Sequence, residues 1–576
     1  MKLTSIELTN FKAIGEKVVI PVKPITLIFG ANSAGKSSIL QCLAMLAQSV
    51  SSVEFEFPSL DGSGPLVDVG NYLDFVHKHD PRKFFECRFN FHMDADFSFE
   101  YLLPDDSDSP RSLTLNSSAK KFMKIMDDFN EASLSFCFTP VSEIDDHMDL
   151  FLGGNEKPAF SYSDYNIKPN FDHIFWEKYW NAFKKEIYEN IYTSPMEILR
   201  KKEIITNGKL YMDSQGSKGV KRLSNQKATL LKKYLAELSI DSLIQICDIL
   251  LWSETYQELK EELRRGKTEF EIIFNYYNAN NIDQSNYLTG FSGFLPTKFA
   301  RMKPEDFFCE KFLEHLYKAP GYPGYGDSFH PGQLMVLFAS HIKPFLASFS
   351  FLGPLRKRPE RFHVEKDTTN NSMYDDGGND VLSLAHDDAL VNRINRELVH
   401  LQTGFQIKIV HLTDKESGTS GVFLLQFINQ KTGVAASIKD VGFGYSQILP
   451  VIIKCLKPHY GTVGTVVIEQ PELHLHPAMQ AELGDMFIRG AQTNNHFFIE
   501  THSEHLILRL LRRIRETAEG ELPENVPPLT PDDIAVLYVQ PGENGAQVTH
   551  IPVTADGDFA IPWPEGFFPE RARELF

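Results

Sequence analysis

Ile25-Thr26-Leu27-Ile28-Phe29-Gly30-Ala31-Asn32-Ser33-Ala34-Gly35-Lys36-Ser37-Ser38 is the stretch that decides how this chain is read. Ile25–Phe29 is a short, apolar, β-branched run that suits a buried strand. Gly30–Ser37 then spells a complete phosphate-binding loop, and Lys36–Leu46 has the periodicity of a helix. Strand, glycine loop and helix in that order give such a loop its working context. The glycines let backbone N–H groups curl around phosphate oxygens. Lys36 brings a point charge to the β- and γ-phosphates, and Ser37 offers a hydroxyl to Mg²⁺. The dipole of the following helix favours the same anion. A chance glycine turn would carry neither the strand before it nor the helix after it. The ligand implied is ATP with Mg²⁺, and Asn32, Gly35, Lys36, Ser37 and Ser38 are the candidates to hold it.

The rest of such a site lies far downstream. Val466-Val467-Ile468-Glu469 has the form of a Walker B strand, ending in a carboxylate that can hold Mg²⁺ through water. By itself it reads equally well as a buried strand ending in a surface acid; the loop upstream decides between the two. Thr501-His502-Ser503 follows the apolar run His496–Ile499, and a histidine at a strand's end can sense a γ-phosphate. Asp440-Val441-Gly442-Phe443-Gly444-Tyr445-Ser446-Gln447 precedes the helical run Ile448–Leu456, so its glycines and Ser446 can form a second anion-binding surface. One nucleotide does not need two phosphate sites on one chain. Gly444 and Ser446 make sense if they cap a γ-phosphate held by another subunit.

The chain has 576 residues, so one to three domains and a full-sized core are expected. No apolar run approaches the ~18 residues of a membrane span, and the N-terminus has no signal-peptide form. The six cysteines are scattered without a CxxC pair, which points to reduced thiols in a cytoplasm and away from a zinc site. A net charge of −18 disfavours non-specific nucleic-acid binding by the surface as a whole.

Leu3–Leu8 and Lys17–Ile20 read as strands around a turn at Asn10–Gly15. Residues from about 90 to 340 are rich in aromatics and read as mainly helical, with Leu231–Glu262 the clearest helix and no sustained heptads for a coiled-coil arm. A β-rich portion begins near Phe349, with a hairpin from Phe405–Val410 and Gly421–Ile428. Asp367–Asp380 reads as a loop, Gly464–Ile468 as a buried strand, and Leu506–Arg515 as a basic helix.

Taken together, the ordered motifs resemble the ABC-type ATPase heads of the SMC, DNA-repair and overcoming-lysogenisation-defect relatives. Asn10-Phe11-Lys12 looks like the start motif of that group, which adds Lys12 to the nucleotide-binding candidates. Gly442–Gln447 looks like its divergent signature, Glu469–Pro477 like its Walker B and D-loop, and His502 like its switch histidine. The match covers about residues 1–80 and 349–515. Gly353-Pro354-Leu355-Arg356 and the tail Trp563-Pro564-Glu565-Gly566-Phe567-Phe568 resemble a narrower bacterial branch, with a small C-terminal domain of unknown function, found in antiphage-defence ATPases of Septu-like or retron-associated loci. The resemblance implies an α/β fold, an ABC-type P-loop ATPase head split by a large, mainly helical insertion. The expected organisation is an N-terminal head half at 1–90, the insertion at 91–345, a C-terminal head half at 346–520 and a small C-terminal domain at 521–576. It also implies a homodimer of heads sandwiching two ATP molecules, with the signature acting in trans, and room for a higher oligomer.

Two departures stand out. In most relatives the residue after the Walker B acid is the glutamate that activates water, and here it is Gln470. Glutamine can orient a water but cannot accept its proton, so slow hydrolysis and a long-lived ATP-bound dimer are expected. Glu472 can serve instead if its loop aims it inward, which makes Glu469, Gln470, Glu472 and His502 the catalytic candidates, with Ser37 and Glu469 as the metal-binding pair. The second departure is the lack of a Toprim nuclease after the switch histidine, which the overcoming-lysogenisation-defect relatives carry. A separate effector, such as an HNH nuclease from the same operon, is what the resemblance implies. Residues 200–233 hold ten basic residues against two acids, so that stretch can meet DNA or RNA phosphates or stand as a solvated face. Arg356-Lys357-Arg358 with Arg361, and Arg509–Arg513, are further basic candidates, and the latter reads better as a dimer or head surface because it directly follows the switch strand. The leading expectation is an ATP-dependent sensor in antiphage defence. An SMC-like repair or recombination ATPase is the alternative, and a transporter subunit fits poorly.

Overall fold

The computed structural model describes residues 1–50, 54–55, 59–93, 125–126, 128–140, 146–163, 166–170, 173–175, 178, 205–206, 209–210, 290–292, 295–298, 331–356, 360–364, 381–413, 421–457 and 463–564. Two sheets organise them. The first is six-stranded, in the order Phe349–Leu352, Gly464–Glu469, Asn495–Glu500, Ile25–Gly30, Ile534–Gly542, Gly545–His550. Its first five strands run parallel and only the last pair is antiparallel. Gly464–Glu469 is buried along its whole length. That is why Val466-Val467-Ile468 reads as a continuous apolar run: a central parallel strand is covered on both faces.

The second sheet is antiparallel and seven-stranded: Val18–Pro21, Lys2–Thr9, Phe85–His92, Glu131–Phe138, His147–Leu152, Phe160–Ser163, Asn166–Pro169. Phe85–His92 alternates between buried and less buried residues, the period of a strand with one covered face. The sheet therefore runs through the boundary expected at residue 90. Between 90 and 169 the described residues are mostly strands, and aromatics such as Phe136 and Phe160 are buried on them. The helix expected over Leu231–Glu262, most of the basic stretch 200–233 and the loop Asp367–Asp380 lie outside the described residues.

Between and behind the sheets are two hydrophobic layers. Ile28, Val467, Phe498 and Leu537 face the first layer, with helices Lys36–Ser49 and Pro331–Ala347 and the inner face of the antiparallel sheet. Leu27, Ile468, Ile499 and Val536 face the second, with helices Asp388–His400, Phe443–Leu456, Pro477–Ala491 and Glu504–Glu519. Strand alternation sends successive side chains into opposite cores. Each fully buried Leu, Ile or Phe contributes about 1.5–3 kcal/mol, against about 0–1 kcal/mol for an exposed ion pair such as Arg361–Asp440. The two layers, not surface charge pairs, hold the head together. No helix among the described residues is long and apolar enough to cross a membrane.

The hairpin expected from Phe405 is present: Phe405–Leu412 pairs antiparallel with Val422–Asn429. The expected division at 520 does not separate a domain. Ile534–Gly542 lies directly beside the P-loop strand, with Leu537 opposite Ile28 and Val539 opposite Gly30. Its apolar run Ile534–Leu537 is buried and needs two covered faces, which the head sheet supplies.

Candidate functional site

The P-loop strand and its two neighbours on one side end together. Glu469 is in register with Glu500, and Glu500 with Ile28, so the Walker B acid, Glu500 and the loop after Gly30 meet at the C-terminal edge of the sheet. This is the edge at which open α/β sheets bind ligands. Gly30 has φ 146° and Gly35 φ 104°, conformations that L side chains avoid. A side chain at Gly30 would meet the Val539 carbonyl oxygen at 2.0 Å, and one at Gly35 would meet the Ala546 and Ala13 methyls at 2.8 and 2.9 Å. The loop is thus braced from behind by the last two strands of the sheet.

Lys36 is buried, and its Nζ donates to the carbonyl oxygens of Gly30 (3.0 Å) and Ala31 (2.9 Å), folding the loop over its own lysine. Its charge also lies 3.8 Å from Glu500 Oε1. Burial lowers its pKa, and Glu500 and then Glu469 pull back in the other direction. Ser37 Oγ donates to Glu500 Oε2 at 3.1 Å. Asn32 is exposed at the loop's tip, while Ser38 is buried behind it. Lys12 points its Nζ at Gln41 Oε1, 2.7 Å away on the helix that follows the loop, so in this arrangement it braces that helix.

Glu469 is nine-tenths buried and its carboxylate accepts no hydrogen bond from any described residue. Burial, then the neighbouring Glu500, push its pKa up to about 7, against the pull of Lys36. Two carboxylates and one lysine thus meet at this edge, and a cation placed there would favour the ionised form of Glu469. Ser37 and Glu469 therefore fit Mg²⁺, with nucleotide phosphates completing the shell. When bound, the ion would offset the negative charge of the phosphates. Among the described residues no three His, Cys, Asp or Glu side chains form a metal cluster of their own.

Gln470 has φ 46° and donates its N–H to the Glu500 carbonyl at 2.7 Å. Glu472 faces the Thr501–His502 segment. Its Oε1 accepts from the His502 N–H (2.7 Å) and its Oε2 from Thr501 Oγ1 (2.8 Å). Both oxygens are thus committed to holding the switch segment, and burial raises the pKa of the carboxyl. His502 stands exposed on this scaffold, its pKa lowered by partial desolvation and by the Lys36 charge. A neutral imidazole beside the lysine can exchange hydrogen bonds with a phosphate without adding charge.

The signature segment packs on the D-loop of its own chain. A Cβ at Gly444 would meet the His474 carbonyl oxygen at 2.7 Å, and Ser446 is buried. Arg356 ties this segment to the Walker B strand: it donates to the backbone carbonyl oxygens of Gln447 (3.1 Å), Glu469 (3.0 Å) and Gln470 (3.1 Å). Burial lowers its pKa to about 10. Its guanidinium is consumed inside the fold, not offered to nucleic acid. Arg361 pairs with Asp440 at 2.9 Å on the surface, and Lys357 and Arg358 lie outside the described residues. The basic helix is internally neutralised as well: Arg509 and Arg513 both bind Asp485, Arg509 also Glu482, and Arg512 and Arg513 bind Glu516.

Sequence reading passed over Glu500. The signal was present: an acid ends the apolar run directly before Thr501-His502, just as Glu469 ends its own strand. The bracing role of Arg356 had no local signal.

The AAA ATPase domain family model matches residues 1–318 and 362–507. None of the curated proteins matches the chain. Among solved structures it is similar to the SMC head domain from Thermotoga maritima, at 8% identity and a TM-score of 0.34, covering 96% of this chain and 99% of that one. It is also similar to an Smc head domain with a coiled coil and joint derived from Pyrococcus yayanosii, at 13% identity and a TM-score of 0.33, covering 96% and 98%. These likenesses are too distant to carry residue roles.

Proposed function

The chain belongs to the AAA ATPase domain family, and from that premise we propose that it is a nucleotide-held clamp: an ATP-dependent sensor and regulatory subunit of a bacterial antiphage defence complex, acting in the cytoplasm on a separate toxic effector such as a nuclease. The observation that carries this reading is the pairing of an intact loop with an amide. Gly30–Ser37, Glu469 and His502 hold what a nucleotide site needs, while Gln470 stands where a proton acceptor is expected and Glu472 is committed to Thr501 and His502. Such a site binds ATP well and turns it over slowly, which suits a state held until a trigger arrives. Two heads close over two ATP molecules, with Gly444 and Ser446 of each capping the nucleotide of the other. The GPLR segment at Gly353–Arg356 and the Trp563 tail support the defence branch by resemblance.

The test joins kinetics to assembly. Wild type with Mg·ATP is expected to run as a dimer in light scattering, and Gln470→Glu to speed single-turnover hydrolysis by about 100-fold while shortening the dimer's lifetime. Fast hydrolysis by wild type, with no gain from Gln470→Glu, would sink the clamp. Purification with its neighbouring gene products, followed by nucleic-acid extraction, tests the defence assignment. A bound effector supports it, whereas DNA alone favours the SMC-like repair or recombination reading.

A further inference from the structure

Resting on the reading that Lys36 and Ser37 bind Mg·ATP, we propose that Glu500 is a second acidic residue of the Mg²⁺ site, positioning the metal together with Ser37 and Glu469. Glu500 ends the strand beside Walker B and is in register with Glu469. It is 5% exposed, and its two oxygens face the two functional groups of the loop: Oε2 accepts from Ser37 Oγ at 3.1 Å, and Oε1 lies 3.8 Å from Lys36 Nζ. Beside it the Glu469 carboxylate, 9% exposed, has no hydrogen-bond partner among the described residues. A hydroxyl, a lysine and two carboxylates thus meet at one strand edge. Mg²⁺ characteristically uses one or two carboxylates, keeps several waters and takes the rest of its shell from phosphates.

The competing role is a latch. Glu500 would then only hold Ser37 and Lys36 in place while no nucleotide is bound, and the metal would displace it. The two roles diverge when metal and nucleotide are varied separately. The latch predicts that Glu500→Gln leaves metal affinity intact. The metal-site role predicts that it lowers that affinity even when the variant is saturated with nucleotide.

The experiment uses the full chain, fluorescent ATP in EDTA, and Mn²⁺ titration of the ATP-loaded protein followed by electron paramagnetic resonance. Each variant is first titrated with ATP in EDTA to fix its own metal-free affinity, and Glu500→Gln, held at saturating ATP, is expected to lose about 10- to 100-fold in Mn²⁺ affinity. Glu500→Asp, which keeps the charge, is expected to recover much of the loss, and it also serves as the reference if the amide perturbs folding. Mn²⁺ affinity unchanged in Glu500→Gln, or equally poor in Glu500→Asp and Glu500→Gln while both bind ATP in EDTA, overturns the proposal. Failure of wild type to bind ATP in EDTA or with metal overturns the nucleotide reading on which it rests.

Discussion

At Gln470 an amide sits in a left-handed turn, φ 46°, clamped by its own N–H to the strand that carries Glu500. The substitution is therefore built into the site's frame and not left on a mobile loop. The neighbouring strand also carries a titratable group outside the site. His496 is in register with Thr465, its Nδ1 is buried without a partner, and burial, then Lys2, push its pKa down to about 4. The sign follows directly. The unfolded histidine binds a proton below about 6.5 and the folded one does not, so stability is full above pH 6.5 and is lost as the pH falls toward 4. Thermal unfolding of wild type between pH 7 and 4.5 should show a loss on the order of 2–3 kcal/mol from this residue. His496→Gln should flatten that part of the profile, and an unchanged slope would count against it.

At the scale of elements, the decisive pair is the two helices behind the switch segment. Pro477–Ala491 presents Asp485, 2% exposed, to Arg513 at 2.7 and 2.8 Å and to Arg509 at 2.6 Å. Burial opposes the aspartate's charge, but Arg513 and Arg509 hold its pKa below the ordinary value. Removing one partner of such a buried network leaves uncompensated charge, so Asp485→Ala should cost about 3–5 kcal/mol in denaturant unfolding. A cost under about 1 kcal/mol would mean that the helices are held by their leucines alone. The same contacts show how the charge of Arg509–Arg513 is spent: Asp485 and Glu482, 24 to 28 positions away, come from another helix, and Glu516 from their own. The helix itself was legible, since Ser503 caps its N-terminus, Gly520 ends it at φ 73°, and its apolar residues keep helical spacing.

For the whole molecule, the sheet is assembled from distant stretches. The P-loop strand has the switch strand on one side and Ile534–Gly542 on the other. Truncation after residue 520 should therefore not trim an appendage. It should expose the edge of the P-loop strand and the backs of Gly30 and Gly35, abolishing ATP binding and lowering the melting temperature. A truncated chain that still binds ATP like the full one would show that the last strands are dispensable. The sequence by itself determined the phosphate loop, the buried strand Gly464–Glu469 and the hairpin at Phe405. Each is written in contiguous residues whose spacing matches a strand, a helix or a glycine turn. Only the tertiary structure decided that Glu500 meets Ser37, 463 positions away, that Glu472 is committed to the switch segment, that Arg356 braces Walker B, and that the C-terminal strands belong to the head. Those are pairings across the sheet, and periodicity along a chain does not specify which strand will lie beside which.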